Sequence, residues 1–262
     1  MKKILITGAG SYIGQSFVRY LQQFPGEYHV ETVDMMGGDW RTKSFAGFDA
    51  VYHVAGIAHI KETAENAHLY YEVNRDLAVE TARKAKADGV PQFVFLSSMS
   101  VYGMEEGAID RNTKPDPKSN YGKSKLQAEA GLEELKDENF RIAVLRPPMV
   151  YGDGCKGNYQ SLVKFAKLLP VFPDYRNKRS MLHIDGLCEA VRTIVDSQAE
   201  GLFLPQDESY VCTCQMVQGI ARDLGKNMKL LKILNPAVVL VKNCTTMGKK
   251  AFGDLYYEKE QK

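Results

Sequence analysis

The feature that most restricts this chain lies at its start, where the apolar run Ile4-Leu5-Ile6 leads directly into Thr7-Gly8-Ala9-Gly10-Ser11-Tyr12-Ile13-Gly14. Apolar residues then recur three and four apart through positions 13–23. A strand, a glycine turn and an amphipathic helix in that order form the opening of a βαβ unit, and such units build parallel sheets. The pattern repeats. Apolar runs at 30–33, 50–54, 92–96 and 142–145 read as further buried strands, and 66–87 and 120–135 as helices between them. The predicted fold is α/β, a Rossmann-like doubly wound parallel sheet. After Pro147-Pro148 the alternation weakens into a glycine-rich loop at 152–157 and helices near 160–168 and 185–197. This predicts a dinucleotide-binding domain over 1–150 and a small substrate-binding cap over 151–262, interleaved with the last sheet elements. Residues 248–262 are charged with little periodicity and are expected to be exposed or poorly ordered.

A chain of 262 residues suits one large α/β domain with a small appendage. Its 34 basic and 32 acidic side chains leave a net charge of +2, which gives no electrostatic reason to expect nucleic acid or an anionic membrane as the main partner. Local clusters decide instead. The five cysteines are odd in number and scattered, favouring reduced thiols in a cytoplasmic protein, and Cys212-Thr213-Cys214 lacks the spacing of a zinc site, so no metal is expected. Met1-Lys2-Lys3 followed by three apolar residues reads as a strand, and no apolar stretch approaches the roughly 20 residues needed to span a bilayer.

The glycine turn, set between strand and helix, suits the pyrophosphate of a dinucleotide, because glycines admit close backbone approach and the helix N-terminus supplies donors and a positive dipole end. Asp34 ends the second strand some twenty residues past the turn, where a carboxylate accepts from adenosine ribose hydroxyls and repels a 2′-phosphate. The cofactor expected is therefore NAD, with Arg41 and Lys43 as nearby charges that complicate the preference. Tyr121 and Lys125 stand four apart in a predicted helix and share a face. An ammonium near a phenol favours the phenolate, bringing proton exchange with a sugar hydroxyl toward neutral pH. Ser97-Ser98-Met99-Ser100 follows the fourth strand, at the sheet edge where parallel folds bind ligands.

Taken together these residues resemble the extended short-chain dehydrogenase/reductase family, in its nucleotide-sugar epimerase and dehydratase branch (UDP-glucose 4-epimerase-like), over positions 4 to about 190. His53-Val54-Ala55-Gly56 is similar to the family's loop facing adenine and ribose, Gly38-Asp39-Trp40 to its adenine-contacting element, and Asn74 to an asparagine supporting the cofactor site. The serine motif places Ser98 at the catalytic hydroxyl; the runs 145–152 and 181–185 are further signatures. The resemblance implies Ser98, Tyr121 and Lys125 as catalytic. It implies cofactor contacts from Gly8, Ser11, Tyr12, Ile13, Gly14, Asp34, Asp39, Trp40, Val54, Ala55, Gly56, Asn74, Tyr121, Lys125 and Pro148. Substrate contacts fall to Ser98, Asn158 and Arg179, with Arg179 at the diphosphate; for Arg179 a plain surface role in the basic run 176–179 stays open. His59 and Lys61 are read as exposed, with the sugar pocket as their alternative, and His183 as structural.

Three departures shape the expectation. Ser11 replaces the middle glycine of the phosphate turn and adds a hydroxyl available to phosphate. Met99 and Ser100 stand where 4,6-dehydratases carry an acidic pair, which disfavours dehydration. Met149 replaces an asparagine near the sugar diphosphate. The implied activity is NAD-dependent 4-epimerisation of a nucleotide sugar, UDP-linked, by a homodimer with no nucleic-acid or membrane partner. A 4-keto-sugar reductase and a non-catalytic dinucleotide-binding protein are the rivals. The family's cap usually extends past the element that 252–257 resembles, so a shortened cap is expected.

Overall fold

The computed structural model describes residues 1–58, 60, 62–155 and 157–259, and the Asn158 side chain lies outside the description. The chain forms two compact units. The first comprises residues 1–103, 115–147 and 183–205; the second comprises 104–114, 148–182 and 206–262.

In the first unit β1 (Lys2–Thr7), β2 (Tyr28–Val33), β3 (Ala50–His53) and β4 (Gln92–Leu96) alternate with α1 (Tyr12–Leu21), α2 (Ala67–Tyr71) and α3 (Leu77–Ala87). In the second unit lies β5 (Gly107–Ile109), after which the chain returns to the first for α4 (Asn120–Glu133) and β6 (Arg141–Leu145). In later sequence the second unit holds β7 (Met149–Tyr151), α5 (Asn158–Leu168) and β8 (Val171–Pro173), and β9 (Met181–His183) leads back to α6 (Ile184–Ser197) and β10 (Gly201–Phe203) of the first. The remaining elements, α7 (Thr213–Asp223), β11 (Lys229–Leu231), α8 (Asn235–Cys244), α9 (Thr246–Phe252) and β12 (Leu255–Tyr257), belong to the second.

The six-stranded sheet has the order β10-β6-β4-β3-β1-β2, all parallel. Its central strands β3 and β4 are buried along their whole length, as a sheet covered by helices on both faces requires. β1 lies between β2 and β3, with Ile4 opposite both Val30 and Ala50. The chain first builds outward from β1 to β2 and then crosses to the other side for β3. Strand order therefore reverses beside β1, and the crevice at the carboxyl ends of β1 and β3 is where such sheets bind ligands. The sixth strand, β10, is only three residues long and carried no periodic signal.

Two expectations are corrected here. Residues 66–87 do not form one α-helix, because a π-helical turn at Glu72–Asp76 interrupts it between α2 and α3. The wider turn carries Asn74, whose side chain is wholly buried and bonded to neighbouring segments. Residues 248–257 are not an exposed tail: β12 pairs with β5, and Leu255 and Tyr257 are buried in the second unit. Among the described residues no helix is long and apolar enough to cross a membrane.

One buried polar network braces α4 against the sheet. Glu129 and Arg146 pair at 2.5 Å with side chains 9% and 10% exposed. Ser97 Oγ donates to Glu129, and Arg146 Nη1 donates to the Tyr102 hydroxyl at 2.9 Å. Burial alone would lower the Arg146 pKa, but the hydrogen bonds it donates to Glu129 and Tyr102 more than reverse it, so the guanidinium stays charged. Removing one member of a buried pair strands the other, whereas an amide keeps its shape and part of its bonding. Glu129→Ala should therefore lose about 3–5 kcal/mol of stability in urea denaturation, and Glu129→Gln clearly less.

Candidate active site

The phosphate turn begins at Gly8, where φ is +82° and an added Cβ would stand 3.1 Å from the backbone N and Cα of Ala55. Glycine is thus demanded twice, by conformation and by the passage of the loop after β3. Gly14 is fixed by packing alone, since a Cβ there would lie 2.8 Å from Ser11 Oγ and 3.2 Å from Val54 Cγ2. Ser11 caps α1: its Oγ accepts from Gly14 N at 3.0 Å, leaving the O–H to donate outward. The hydroxyl expected for phosphate is thereby also the helix cap. Tyr12 and Ile13 form the first turn of α1, and at Gly10 an added Cβ would meet nothing within 4 Å.

Asp34 is exposed just past β2, and its Oδ1 accepts from Met36 N at 3.0 Å. The cations that complicated its reading are engaged elsewhere, Arg41 with Glu80 and Lys43 with Glu31 at 2.8 Å. Asp39 is exposed on a short 3₁₀ turn, while Trp40 beside it is 2% exposed and packs with Met35, Phe45 and Phe48 in the core. Its indole N–H has no hydrogen-bond partner among the described residues. Val54 and Ala55 are buried and Gly56 exposed. Asn74 holds this loop in both directions, Oδ1 accepting from Ile57 N at 2.8 Å and Nδ2 donating to Ile57 O at 3.0 Å and Ser124 Oγ at 3.2 Å. A Cβ on Gly56 would fall 2.9 Å from Asn74 Oδ1 and 3.4 Å from Lys125 Nζ.

Lys125 is 4% exposed, donates to Leu96 O at 2.8 Å and lies 4.6 Å from the centre of the Phe95 ring. Burial pulls its pKa down to about 8, against the opposing charge of Glu129 one turn along α4. Ser98 caps the 3₁₀ turn Met99–Tyr102 through Ser100 N at 3.1 Å. Burial raises the Tyr121 pKa, and a hydrogen bond from Ser98 works in the opposite direction. The ring of Tyr70 meets Tyr121 edge-on at 6.4 Å. This departs from the expected mechanism: the groups acting on the phenol are Ser98 and Tyr70, while Lys125 is turned to the end of β4. The net effect is a Tyr121 pKa above the ordinary tyrosine value.

The first unit thus brings Ser98, Tyr121, Lys125, Gly56 and Asn74 together and places the phosphate turn at the neighbouring strand ends. Pro148, Asn158 and Arg179 belong to the second unit. Pro148 is buried, and Asn158 heads α5 with its side chain outside the described residues, as are His59 and Lys61. Arg179 Nη1 donates to Gly253 O at 2.9 Å, and burial lowers its pKa against the charges of Glu105, Asp254 and Glu106. His183 caps α6. Glu129 is a positioning residue the sequence reading passed over, although it repeats the four-residue spacing of Tyr121 and Lys125.

A family model described as the NAD dependent epimerase/dehydratase family matches residues 4–203. The chain belongs to this family. Membership makes it an NAD-dependent enzyme of the extended short-chain dehydrogenase/reductase type, and the residues present fit the dinucleotide: a cradle closed to side chains at Gly8, open at Gly10, and an unchallenged carboxylate at Asp34. A UDP-glucose 4-epimerase from Vibrio cholerae is 31% identical over 86% of this chain and 76% of its own length. An N-acetyl-alpha-D-glucosaminyl-diphospho-ditrans,octacis-undecaprenol 4-epimerase from Escherichia coli O157:H7 is 25% identical over 97% and 82%. The crystal structure of a UDP-glucuronic acid 4-epimerase from Bacillus cereus in complex with NAD shares the fold, with a TM-score of 0.73 at 19% identity over 98% of this chain and 90% of that one.

The buried Lys125 leaves a mark on stability. Its native pKa of about 8 lies below the ordinary 10.5, so the unfolded state binds more protons between these values. The contribution is fully present above 10.5 and is lost as pH falls through about 8. Relative to Lys125→Met, the wild-type protein should therefore gain stability as pH rises from 8 toward 10.5, read from paired denaturation curves. A pH-independent difference contradicts the burial of the charge.

Proposed function

We propose that the protein interconverts the C4 epimers of a hexose carried on a diphosphate, with a UDP-linked sugar as the substrate and NAD as the retained cofactor. The observation that carries this reading is the gathering of Ser98, Tyr121 and the buried Lys125 in the first unit, with no carboxylate at positions 99 and 100. The two curated relatives support it from their names: both are 4-epimerases, one of a UDP-sugar and one of a sugar on a polyprenyl diphosphate.

When bound, the oxidised nicotinamide brings a positive charge and a hydride-accepting carbon to the site. Tyr121 takes the proton from the C4 hydroxyl as that carbon is oxidised and returns it when the other face of the 4-keto sugar is reduced. Ser98 holds the reacting oxygen beside the phenol in both directions. Lys125, charged below its pKa of about 8, holds the ribose hydroxyls and favours the phenolate once the site is filled. Arg179 is the proposed diphosphate contact and Asn158 its neighbour on the substrate side. The same reading makes the protein a homodimer through the faces of α3 and α4.

Tyr121→Phe keeps the ring and removes the proton. Its kcat should fall by at least about 10²-fold with little change in KM, followed by NMR of the anomeric signals of UDP-sugars without added cofactor. Near-normal turnover by this variant, or net consumption of NADH with a 4-keto sugar, overturns the epimerase reading.

The cofactor preference has its own test. Asp34→Ala removes the charge that repels a 2′-phosphate, so the ratio of NAD to NADP affinity should drop by about tenfold or more in fluorescence titrations. An unchanged ratio places the selectivity elsewhere.

A further inference from the structure

Cys212-Thr213-Cys214 takes no part in the site described above, and its spacing is wrong for zinc. The fold of the second unit nevertheless brings its two sulfurs together. Cys212 caps α7 in an extended conformation, Cys214 lies in the first turn of the helix, and their Sγ atoms stand 3.2 Å apart. Side chains two apart within a helix do not face each other, so it is the bend at the cap that turns both sulfurs to one side. That bend is fixed from outside the helix. Thr213 N donates to Asn177 Oδ1 at 2.8 Å, and the Thr213 hydroxyl donates to Ala251 O at 2.8 Å. Asn177 Nδ2 in turn donates to Thr213 Oγ1 at 3.0 Å and to Gly253 O at 3.2 Å. The residue between the cysteines thus has both its amide and its hydroxyl engaged.

The two thiols are unequal. Cys214 is wholly buried in the apolar cluster of Phe172 and Val217, with Asp174 Oδ1 4.0 Å from its sulfur. Burial, its hydrogen bond with Cys212 and the charge there push the Cys214 thiol up to about 12. Cys212 keeps 9% of its surface open, and as a thiol it donates to Tyr175 O at 3.7 Å. Burial works to raise its pKa too, but the Asn177 backbone, the Cys214 thiol and the first amides of α7 outweigh it, and the pKa falls below the ordinary thiol value. When the pair loses one proton, the charge therefore rests on Cys212 and Cys214 is its donor. A partly accessible thiolate beside a second thiol is the arrangement of cysteines that react with oxidants.

We propose that Cys212 and Cys214 are a dithiol site for small hydroperoxides, with Cys212 as the attacking sulfur and Cys214 as the resolving one. The Cys212 thiolate attacks one oxygen of hydrogen peroxide; an S–O bond forms, the O–O bond breaks, and the departing hydroxide takes up a proton as water. Cys212 is then a sulfenic acid. The Cys214 sulfur attacks it, an S–S bond forms, the S–O bond breaks, and the hydroxyl leaves with the Cys214 proton as a second water. Two electrons pass from the thiols to the peroxide. A bridge across one intervening residue closes a tight ring, and strained disulfides are the readily reduced ones, so a dithiol reductant returns the pair to its starting state.

The test is peptide mass spectrometry of the reduced full-length protein after graded hydrogen peroxide, removal of the oxidant by catalase, and alkylation in denaturant. Trypsin releases residues 193–222, which contain both of these cysteines and no other. Cys188, whose thiol burial pushes up to about 12, and the exposed Cys244 serve as internal references. The 193–222 peptide should appear unalkylated and lighter by two hydrogens than its dithiol form, at least about tenfold faster than either reference thiol is lost. Dithiothreitol should restore the dithiol. Cys214→Ser should stop at a Cys212 sulfenic acid that dimedone captures, and Cys212→Ser should leave Cys214 a thiol. Unchanged circular dichroism and denaturation midpoints confirm that these variants fold, and the wild-type peptide decides the matter without them. Absence of the bridge in 193–222, or a bridge formed no faster than the reference thiols are lost, overturns the inference. A sulfinic acid at Cys212 of the wild-type protein in place of the bridge overturns it as well, because Cys214 then fails to resolve the sulfenic acid.

Discussion

The buried pair of Glu129 and Arg146 is the interaction on which the candidate site depends. Glu129 stands on α4, the helix that also carries Tyr121 and Lys125, and Arg146 follows β6. Through Ser97 the same carboxylate reaches the end of β4, one residue before Ser98. One ion pair thus fixes the helix of the phenol and amine against the strand end of the hydroxyl. Its low exposure makes the geometry demanding, since a buried charge tolerates no drift from its partner. The pair also acts on chemistry, because the charge of Glu129 opposes the fall in the Lys125 pKa.

A second constraint sits at the reversal of strand order. The loop after β3 passes so close to Gly8 that a side chain there would meet the backbone of Ala55. Asn74 locks the far end of that loop, and it can do so because the π-helical turn widens the helix at that point. Such turns recur where a helix must present a side chain that regular geometry would turn aside. A Cβ added to Gly56 would stand 3.4 Å from Lys125 Nζ, so this loop and the buried lysine share one boundary.

Much of this was legible in the sequence, and the reasons differ by element. The central strands of the sheet stand out because strands buried on both faces read as near-continuous apolar runs, as in β4 from Phe93 to Leu96. Ser98, Tyr121 and Lys125 were legible as a family order, since their spacing alone is common on helices. The π-helical turn was not, because the apolar spacing through 66–87 is continuous and one extra residue in a turn leaves no compositional trace. The three-residue strands of the second unit are too short to show alternation, and burial of Tyr257 arises from pairing with β5, nearly 150 residues earlier in the sequence. The direction of Lys125 was hidden for a different reason. Spacing puts it on the face of Tyr121, but a flexible side chain chooses its acceptor, and in this structure that acceptor is Leu96 O.

The central claim is that one carbon of the sugar is oxidised and reduced again without exchange of its hydrogen with the surroundings. The most direct measurement is mass spectrometry and NMR of the product formed from a UDP-hexose carrying deuterium at C4. The account predicts that the deuterium is found at C4 of the epimer, with none lost to solvent or to a pool of added NAD. Deuterium washed out of the sugar, or recovered in free reduced cofactor, contradicts it.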